Sequence, residues 1–219
     1  MVYAGEPWIE KSWTDWTDRD IRKILTDSPW AHSAPVPYQP LRSGEDLEIE
    51  ISPPVLSVGH VPDYSPSGRI YGRDQTFFIR WSSAKIVRKA VFLENGARKS
   101  SSAQLKELER VPKEYLITVH SDPLNHLPPA YETRLMVNSE LSLKIGLKRV
   151  PPIRIIIRYV DGSADPDSFE FYFSRTDENG KDLISPKEDQ IDFKAQVGIR
   201  IFRARFNPQK MRDRQERDL

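Results

Sequence analysis

The C-terminal half of this chain alternates apolar and polar residues with a two-residue period, and this feature constrains its fold more than any other. The period runs through 141–147, 169–173 and 191–197, and a further apolar segment, 199–206, follows Gly198. Residues 153–160 contain three consecutive isoleucines, a β-branched run typical of strands. Because alternate side chains of a strand point to opposite faces, these segments predict an antiparallel β meander with one face on the core.

The same period predicts which of these side chains are buried. They are Phe169, Phe171, Phe173, Ile191, Phe193, Ala195, Ile155 and Ile157. Glu170 and Tyr172 are expected to point away from the core. Ile156 falls on the outer face between Arg154 and Arg158, so it needs a cover, which we expect the N-terminal arm to provide.

Strand and helix signals follow one another in the middle of the chain. A short apolar strand is predicted at 76–81, helices are predicted around 86–93 and 102–108, and another strand is predicted at 115–119. Ser82 and Ser83 are candidates to cap the first of these helices. Strand, helix, helix and strand make a crossover unit. If its two strands share a sheet, we expect them to be parallel with a right-handed crossover.

The first 75 residues predict an arm with one short helix and a proline-rich extended segment. Thr17 and Asp20 have the spacing of a capping box, and apolar residues at 21, 24 and 25 follow a helical period. These signals predict a helix from about Asp18 to Asp27. Residues 31–75 are expected to be largely loop-like, with short strands at 47–51 and 55–58.

Tryptophan is concentrated in this arm, with four of the five residues between positions 8 and 30. Trp13, Trp16 and Trp30 are candidate ligand or partner residues, because exposed indoles form platforms for sugars or peptides. The alternative places them in the core, where tryptophan is usually well buried. We favour the alternative because the neighbouring helix has an apolar face.

We predict one α+β domain in which the arm wraps the sheet. The chain has 219 residues, enough to bury a sizeable core without disulfide or metal staples. The arm spans 1–75 and the α+β core spans 76–208. Residues 209–219 are almost all polar or charged, and we expect this tail to fray.

Composition excludes several functional classes. The chain has no cysteine, which rules out disulfides, thiolate metal sites and cysteine nucleophiles. No apolar run approaches the roughly 20 residues of a transmembrane helix. With 33 basic and 32 acidic side chains the net charge is +1, so we expect no specific nucleic-acid partner. Phosphate-binding glycine loops and the serine-hydrolase elbow are absent from the sequence.

Two groups of polar residues are candidate sites. His120, Asp122 and His126 follow a predicted strand and make an acceptable donor set for a first-row metal, although ordinary turn bonding is the favoured interpretation. We therefore expect neither a metal nor another cofactor. The second group is basic and would bind an anionic partner if its strands were neighbours. Its members are Arg154, Arg158, Arg203 and Arg205. We favour the alternative that they pair across strands with acidic residues such as Glu170 and Asp192.

Three segments resemble a group of uncharacterised exported bacterial proteins related to the GWxTD-domain proteins. They are the pattern from Trp13 to Trp30, the string from Phe77 to Ala84, and the set Phe202, Phe206 and Met211. The resemblance implies export, with a signal removed before residue 1, and it supplies no activity. Residues 1–7 themselves do not have the composition of a signal peptide, and a cytoplasmic location stays open.

These observations favour a non-catalytic, exported binding or protein-interaction domain whose partner is a protein or a small ligand. The alternative is a metal-assisted hydrolase that uses His120, Asp122 and His126. Bound metal would discriminate between them, since only the hydrolase needs three donors converging on one ion.

Overall fold

A computed structural model describes residues 5–36, 75–96, 101–121, 136–159, 166–197, 200–214 and 216–219. The N-terminal elements are α1 (Pro7–Glu10), a 3-10 turn (Trp13–Asp15), α2 (Asp18–Thr26) and β1 (Ala31–Val36). The middle of the chain forms β2 (Gln75–Trp81), α3 (Lys85–Glu94), α4 (Ser102–Glu109) and β3 (Glu114–Ser121).

The remaining described elements are mostly strands. They are β4 (Glu140–Leu143), a 3-10 turn (Ile145–Leu147), β5 (Lys148–Val150), β6 (Arg154–Tyr159), β7 (Pro166–Ser174), β8 (Ile191–Val197), β9 (Arg200–Phe206), β10 (Arg212–Asp213) and β11 (Glu216–Arg217). The predicted α+β class is confirmed. Among the described helices, none is long and apolar enough to cross a bilayer.

The strands form two antiparallel sheets and a small hairpin. The first sheet has the order β1-β2-β3-β7-β6, the second has the order β5-β4-β8-β9, and β10 pairs with β11. The C-terminal strands are antiparallel, as the alternation predicts. They divide between the two sheets, because β6 and β7 extend the first sheet while β4, β5, β8 and β9 build the second.

The pairing of β2 with β3 differs from the prediction. We expected parallel strands joined by a right-handed crossover, but β2 and β3 are antiparallel neighbours, with Trp81 opposite Ile117. The single helix of a βαβ unit delivers the chain to the opposite end of the sheet. Here two helices, α3 and α4, return it to the end at which β2 stops.

The core lies between the facing sides of the two sheets. Three aromatic pairs join the sheets edge to face, with ring centroids 4.9 to 5.3 Å apart: Phe77–Phe202, Trp81–Phe206 and Phe171–Phe193. The phenylalanines of β7 are buried, as are Ile155 and, on β8, Ile191, Phe193 and Ala195, while Ile157 is partly buried against the core. The predicted face assignment is confirmed.

Ile156 on the outer face of β6 is half-buried, so it is not bare to solvent. The cover that we expected from the N-terminal arm stays a prediction, as do the domain boundaries.

The N-terminal segment is anchored in the same core. The predicted capping box is present, because Asp20 N donates to Thr17 Oγ1 at 3.3 Å and Thr17 N donates to Asp20 Oδ2 at 2.9 Å. The helix ends at Thr26, one residue before the predicted end. β1 lies where we expected a loop, and the strands predicted at 47–51 and 55–58 lie outside the described residues.

The C-terminal tail does not fray. Met211, Asp218 and Leu219 are buried, and Trp30 Nε1 donates to Asp218 O at 2.7 Å. The Asp218 carboxylate accepts hydrogen bonds from the first two backbone N–H groups of α3, at 2.7 and 2.8 Å. It therefore caps α3, a task that we had assigned to Ser82 and Ser83.

Candidate functional site

Two of the three candidate tryptophans of the arm are buried in the core. Trp16 and Trp30 are 1% and 0% exposed, which excludes them from a surface platform. Trp16 Nε1 donates to Pro7 O at 3.1 Å. Trp13 is half-buried against the core, with Lys89 Nζ 5.6 Å from its ring centroid. The expectation that this segment plugs into the core is confirmed for Trp16 and Trp30.

The basic residues do not meet in one patch. Arg154 and Arg158 lie on β6 of the first sheet, whereas Arg203 and Arg205 lie on β9 of the second. Three of the four form ion pairs of 2.7 to 2.8 Å, and the pairs are Arg154–Glu114, Arg158–Glu170 and Arg205–Asp192. The favoured interpretation is confirmed for Arg158 and Arg205, which pair with Glu170 and Asp192 as expected, and it stays a prediction for Arg203.

Of the predicted metal donors, His120 lies on β3, while Asp122 and His126 lie outside the described residues. The ring Nε2 of His120 is hydrogen-bonded to Thr118 Oγ1 at 2.8 Å. Within the part of the chain that the structure describes, no three His, Asp or Glu side chains group as metal donors would. The metal hypothesis therefore gains no support from the geometry of His120.

A cleft of about 910 Å³ lies between the outer face of the first sheet and the two helices. We call it the sheet–helix cleft. Sheet residues and Ser82 form its floor, α3 and α4 form its walls, and the connection from α4 to β3 closes one side. Its described lining residues are Arg80, Ser82, Arg88, Val91, Phe92, Glu94, Asn95, Gln104, Glu107, Leu108, Arg110, Pro112, Lys113, Leu116, Thr118 and His120.

The floor is polar because alternate residues of β2 and β3 face outward. Arg80 on β2 and Leu116, Thr118 and His120 on β3 share this face, since residues two apart on a strand lie on one side. Thr118 Oγ1 is 2.8 Å from His120 Nε2 and 2.7 Å from Ser82 Oγ. The three side chains form one hydrogen-bonded chain across the floor.

Arg80 places a half-buried cation beside this chain. Its Nε donates to Leu25 O at 2.8 Å, near the C-terminal end of α2, where a cation is favoured by the helix dipole. Burial lowers the pKa of Arg80, and the charge of Glu94 opposes that change. The guanidinium remains charged at any physiological pH.

His120 is held neutral. Burial and the positive charge of Arg80 lower the pKa of His120 from 6.5 to about 4, and burial is the larger cause. The negative charge of Glu170 opposes this change. A neutral imidazole carries one N–H donor and one acceptor nitrogen. The floor therefore presents a cation, hydroxyls and a neutral ring.

The walls of the cleft are largely apolar. α3 buries Ile86, Val87, Ala90 and Leu93 on its core side, so Val91 and Phe92 are left half-buried toward the cleft. α4 begins with a capping box between Ser101 and Gln104 and contributes Leu108. An apolar wall over a floor with a few polar groups is typical of small-molecule sites.

A second, smaller cleft of about 650 Å³ lies between the arm, α3 and the C-terminal hairpin. Trp13, Lys85 and Asp213 are among its lining residues. Two of its cations are in ion pairs, because Lys85 binds Asp213 at 2.8 Å and Lys89 binds Glu109 of α4 at 2.6 Å. These pairs hold the hairpin and α4 against α3, so this cleft is part of the scaffold.

Sequence reasoning found His120 but missed the cleft. Polar residues at alternate positions of two apolar strands, such as Arg80 and Thr118, are the signal that was available. That β2 and β3 are neighbours, and that the helices leave a gap above them, follows only from the fold.

Compared with protein-family models, curated proteins and solved structures, the chain matches none of them. The resemblance to GWxTD-related proteins stays a prediction.

Proposed function

We propose that this chain is a non-catalytic binding domain whose sheet–helix cleft holds a small, largely apolar molecule. The observation that carries the proposal is the cleft itself. Its volume of about 910 Å³ lies within the range of about 300–1,000 Å³ found for small-molecule sites. Val91, Phe92 and Leu108 supply apolar walls, and the floor supplies the few polar groups that orient a ligand.

The chemistry of the floor favours binding over catalysis. A hydroxyl nucleophile needs access to its substrate and a base whose pKa lies near the working pH. Thr118 is 5% exposed, and the pKa of His120 is about 4, so the imidazole is a weak base at neutral pH. The alternative, a metal-assisted hydrolase that uses His120, Asp122 and His126, stays a prediction, because Asp122 and His126 lie outside the described residues.

We propose export from the cell on two grounds. The chain has no cysteine, and three of its segments resemble exported bacterial proteins. Fractionation of cells that carry a tagged full-length gene tests this. Recovery outside the cytoplasm is the expected result, and recovery in the cytoplasm alone contradicts it.

Binding is tested with N-phenyl-1-naphthylamine, an uncharged apolar fluorophore, at neutral pH. We expect saturable binding with one site per chain. Leu108→Trp fills the cleft and should weaken binding at least tenfold. Leu105→Trp makes the same change on the same helix, at an exposed residue outside the cleft lining, and should leave binding unchanged.

Melting temperatures of both variants show whether each remains folded. No saturable binding to the wild type, or equal binding to the two folded variants, overturns the proposal.

A further inference from the structure

We infer that the ligand of the sheet–helix cleft is an apolar molecule with a single carboxylate head, and that the carboxylate binds Arg80 at the floor. The inference rests on the proposed function and names the chemical class of its ligand. It is carried by the position of one half-buried guanidinium at the base of an apolar cleft.

Arg80 is positioned to recognise an oxyanion. Its Nε–H is fixed by Leu25 O, which anchors one side of the planar group. A guanidinium carries four more N–H donors on its two Nη atoms, and their fork matches the two oxygens of a carboxylate. A partly buried guanidinium is also less screened than a surface cation, which strengthens its attraction for an anion.

The neighbours of Arg80 on the floor are neutral. Ser82, Thr118 and His120 form the hydrogen-bonded chain and add no charge at neutral pH. Glu170 lies opposite Thr118 on the neighbouring strand β7 and carries a negative charge. That charge is engaged by Arg158 and Tyr172, which donate hydrogen bonds to Glu170 at 2.7 to 3.0 Å. A carboxylate at Arg80 therefore meets hydroxyl and imidazole groups.

The other charged lining residues favour a head with one negative charge over a phosphate. Arg88 is held by the backbone carbonyl oxygens of Ser83, Glu107 and Arg110, at 2.8 to 3.2 Å, so it ties α3 to the end of α4. Arg110 and Lys113 are exposed at the rim, where Arg110 lies 3.7 Å from Glu107. Glu94 is the carboxylate whose charge acts on Arg80, but it is exposed, so solvent screens that charge. One cation on the floor matches one carboxylate, whereas a dianionic phosphate is usually bound by several donors or cations.

The test compares decanoate with decan-1-ol, which has the same tail and no charge, as competitors of N-phenyl-1-naphthylamine. Both are used below the concentration at which they aggregate. We expect decanoate to displace the fluorophore about tenfold more strongly than decan-1-ol, the size expected for one charged hydrogen-bonded contact. Arg80→Gln should abolish that preference, and its melting temperature shows whether the variant is folded.

Arg80→Lys keeps the charge without the fork and should retain part of the preference. Arg203→Gln makes the same change at an exposed arginine of β9, outside the cleft lining, and should leave the preference unchanged. Equal displacement by decanoate and decan-1-ol overturns this inference while the proposed function stands. Tighter binding of decyl phosphate than of decanoate also overturns this inference. Failure of the fluorophore to bind the wild type at all overturns the proposed function itself.

Discussion

Replacement of Trp16 by alanine tests how the N-terminal segment is held to the core. Trp16 is 1% exposed, and its indole N–H donates to Pro7 O. Truncation leaves a large cavity and removes the partner of that carbonyl oxygen. Substitutions of this kind cost about 3–5 kcal/mol, a large share of the roughly 5–15 kcal/mol by which domains are stable.

Urea unfolding followed by circular dichroism measures this change. With an m value of about 2–3 kcal/mol/M, a loss of about 4 kcal/mol lowers the midpoint by about 1.3–2 M. Trp13→Ala is the matched control from the same segment, because Trp13 is half-buried and should cost distinctly less.

A Trp16→Ala midpoint within about 0.3 M of the wild type, a loss below about 1 kcal/mol, would refute the anchoring of the segment. Equal losses in Trp16→Ala and Trp13→Ala would also contradict the burial difference between the two indoles.

Three further predictions concern single polar groups. Asp218→Ala should lower the free energy of unfolding by about 1–3 kcal/mol, because two N–H groups of α3 lose their cap. Glu216→Ala, two residues away, is the control and should change the free energy of unfolding little. Thermal unfolding of both variants measures the difference. Burial opposes ionisation of Glu170, but hydrogen bonds from Arg158 and from a tyrosine outweigh it and lower its pKa. The ionised carboxylate of Glu170 therefore stabilises the fold above its ordinary pKa of 4.5, and this stabilisation is lost as the pH falls through the lowered pKa. Glu170→Gln should destabilise the protein at pH 7 and have less effect in acid, below the lowered pKa. Equal losses of stability at neutral and acid pH would contradict this prediction. The pKa of His120 falls from 6.5 to about 4 on folding, so as the pH is lowered the unfolded chain binds the proton first. The free energy of unfolding should therefore fall by up to about 3 kcal/mol between pH 6.5 and pH 4. Urea unfolding at several pH values measures this fall, and a His120→Gln variant with the same pH dependence would contradict the assignment.

The sequence was informative where one local period decides the outcome. Phe169, Phe171 and Phe173 are all buried because they alternate along one strand, and the pattern requires no knowledge of the partner strand. The capping box of Thr17 and Asp20 is equally local, and it places the start of α2 correctly.

Features that depend on the path of the chain were not predictable in the same way. The antiparallel pairing of β2 with β3 follows from the return of the chain through α3 and α4, and no residue spacing records that return. The ordered tail depends on three residues in a polar segment. Met211 and Leu219 are its apolar anchors, and Asp218 is a capping residue for a helix more than 100 positions away in sequence.

The candidate site falls between these cases. His120 was recognised as chemically interesting, but its metal interpretation relied on neighbours in sequence. Its observed partner is Thr118, two residues back on the same strand face, and the next is Ser82 across the sheet. Arg80 lies within an apolar strand, so its role on the floor of a cleft emerges only when the strands are assembled.

The most direct test of the central claim is a two-dimensional NMR titration of the isotopically labelled full chain with N-phenyl-1-naphthylamine. We predict saturable shift changes that map to the sheet–helix cleft, including the amides of Thr118, His120, Val91 and Leu108. Shift changes confined to the smaller cleft around Trp13, or no saturable change anywhere, would contradict the claim that the sheet–helix cleft is the binding site.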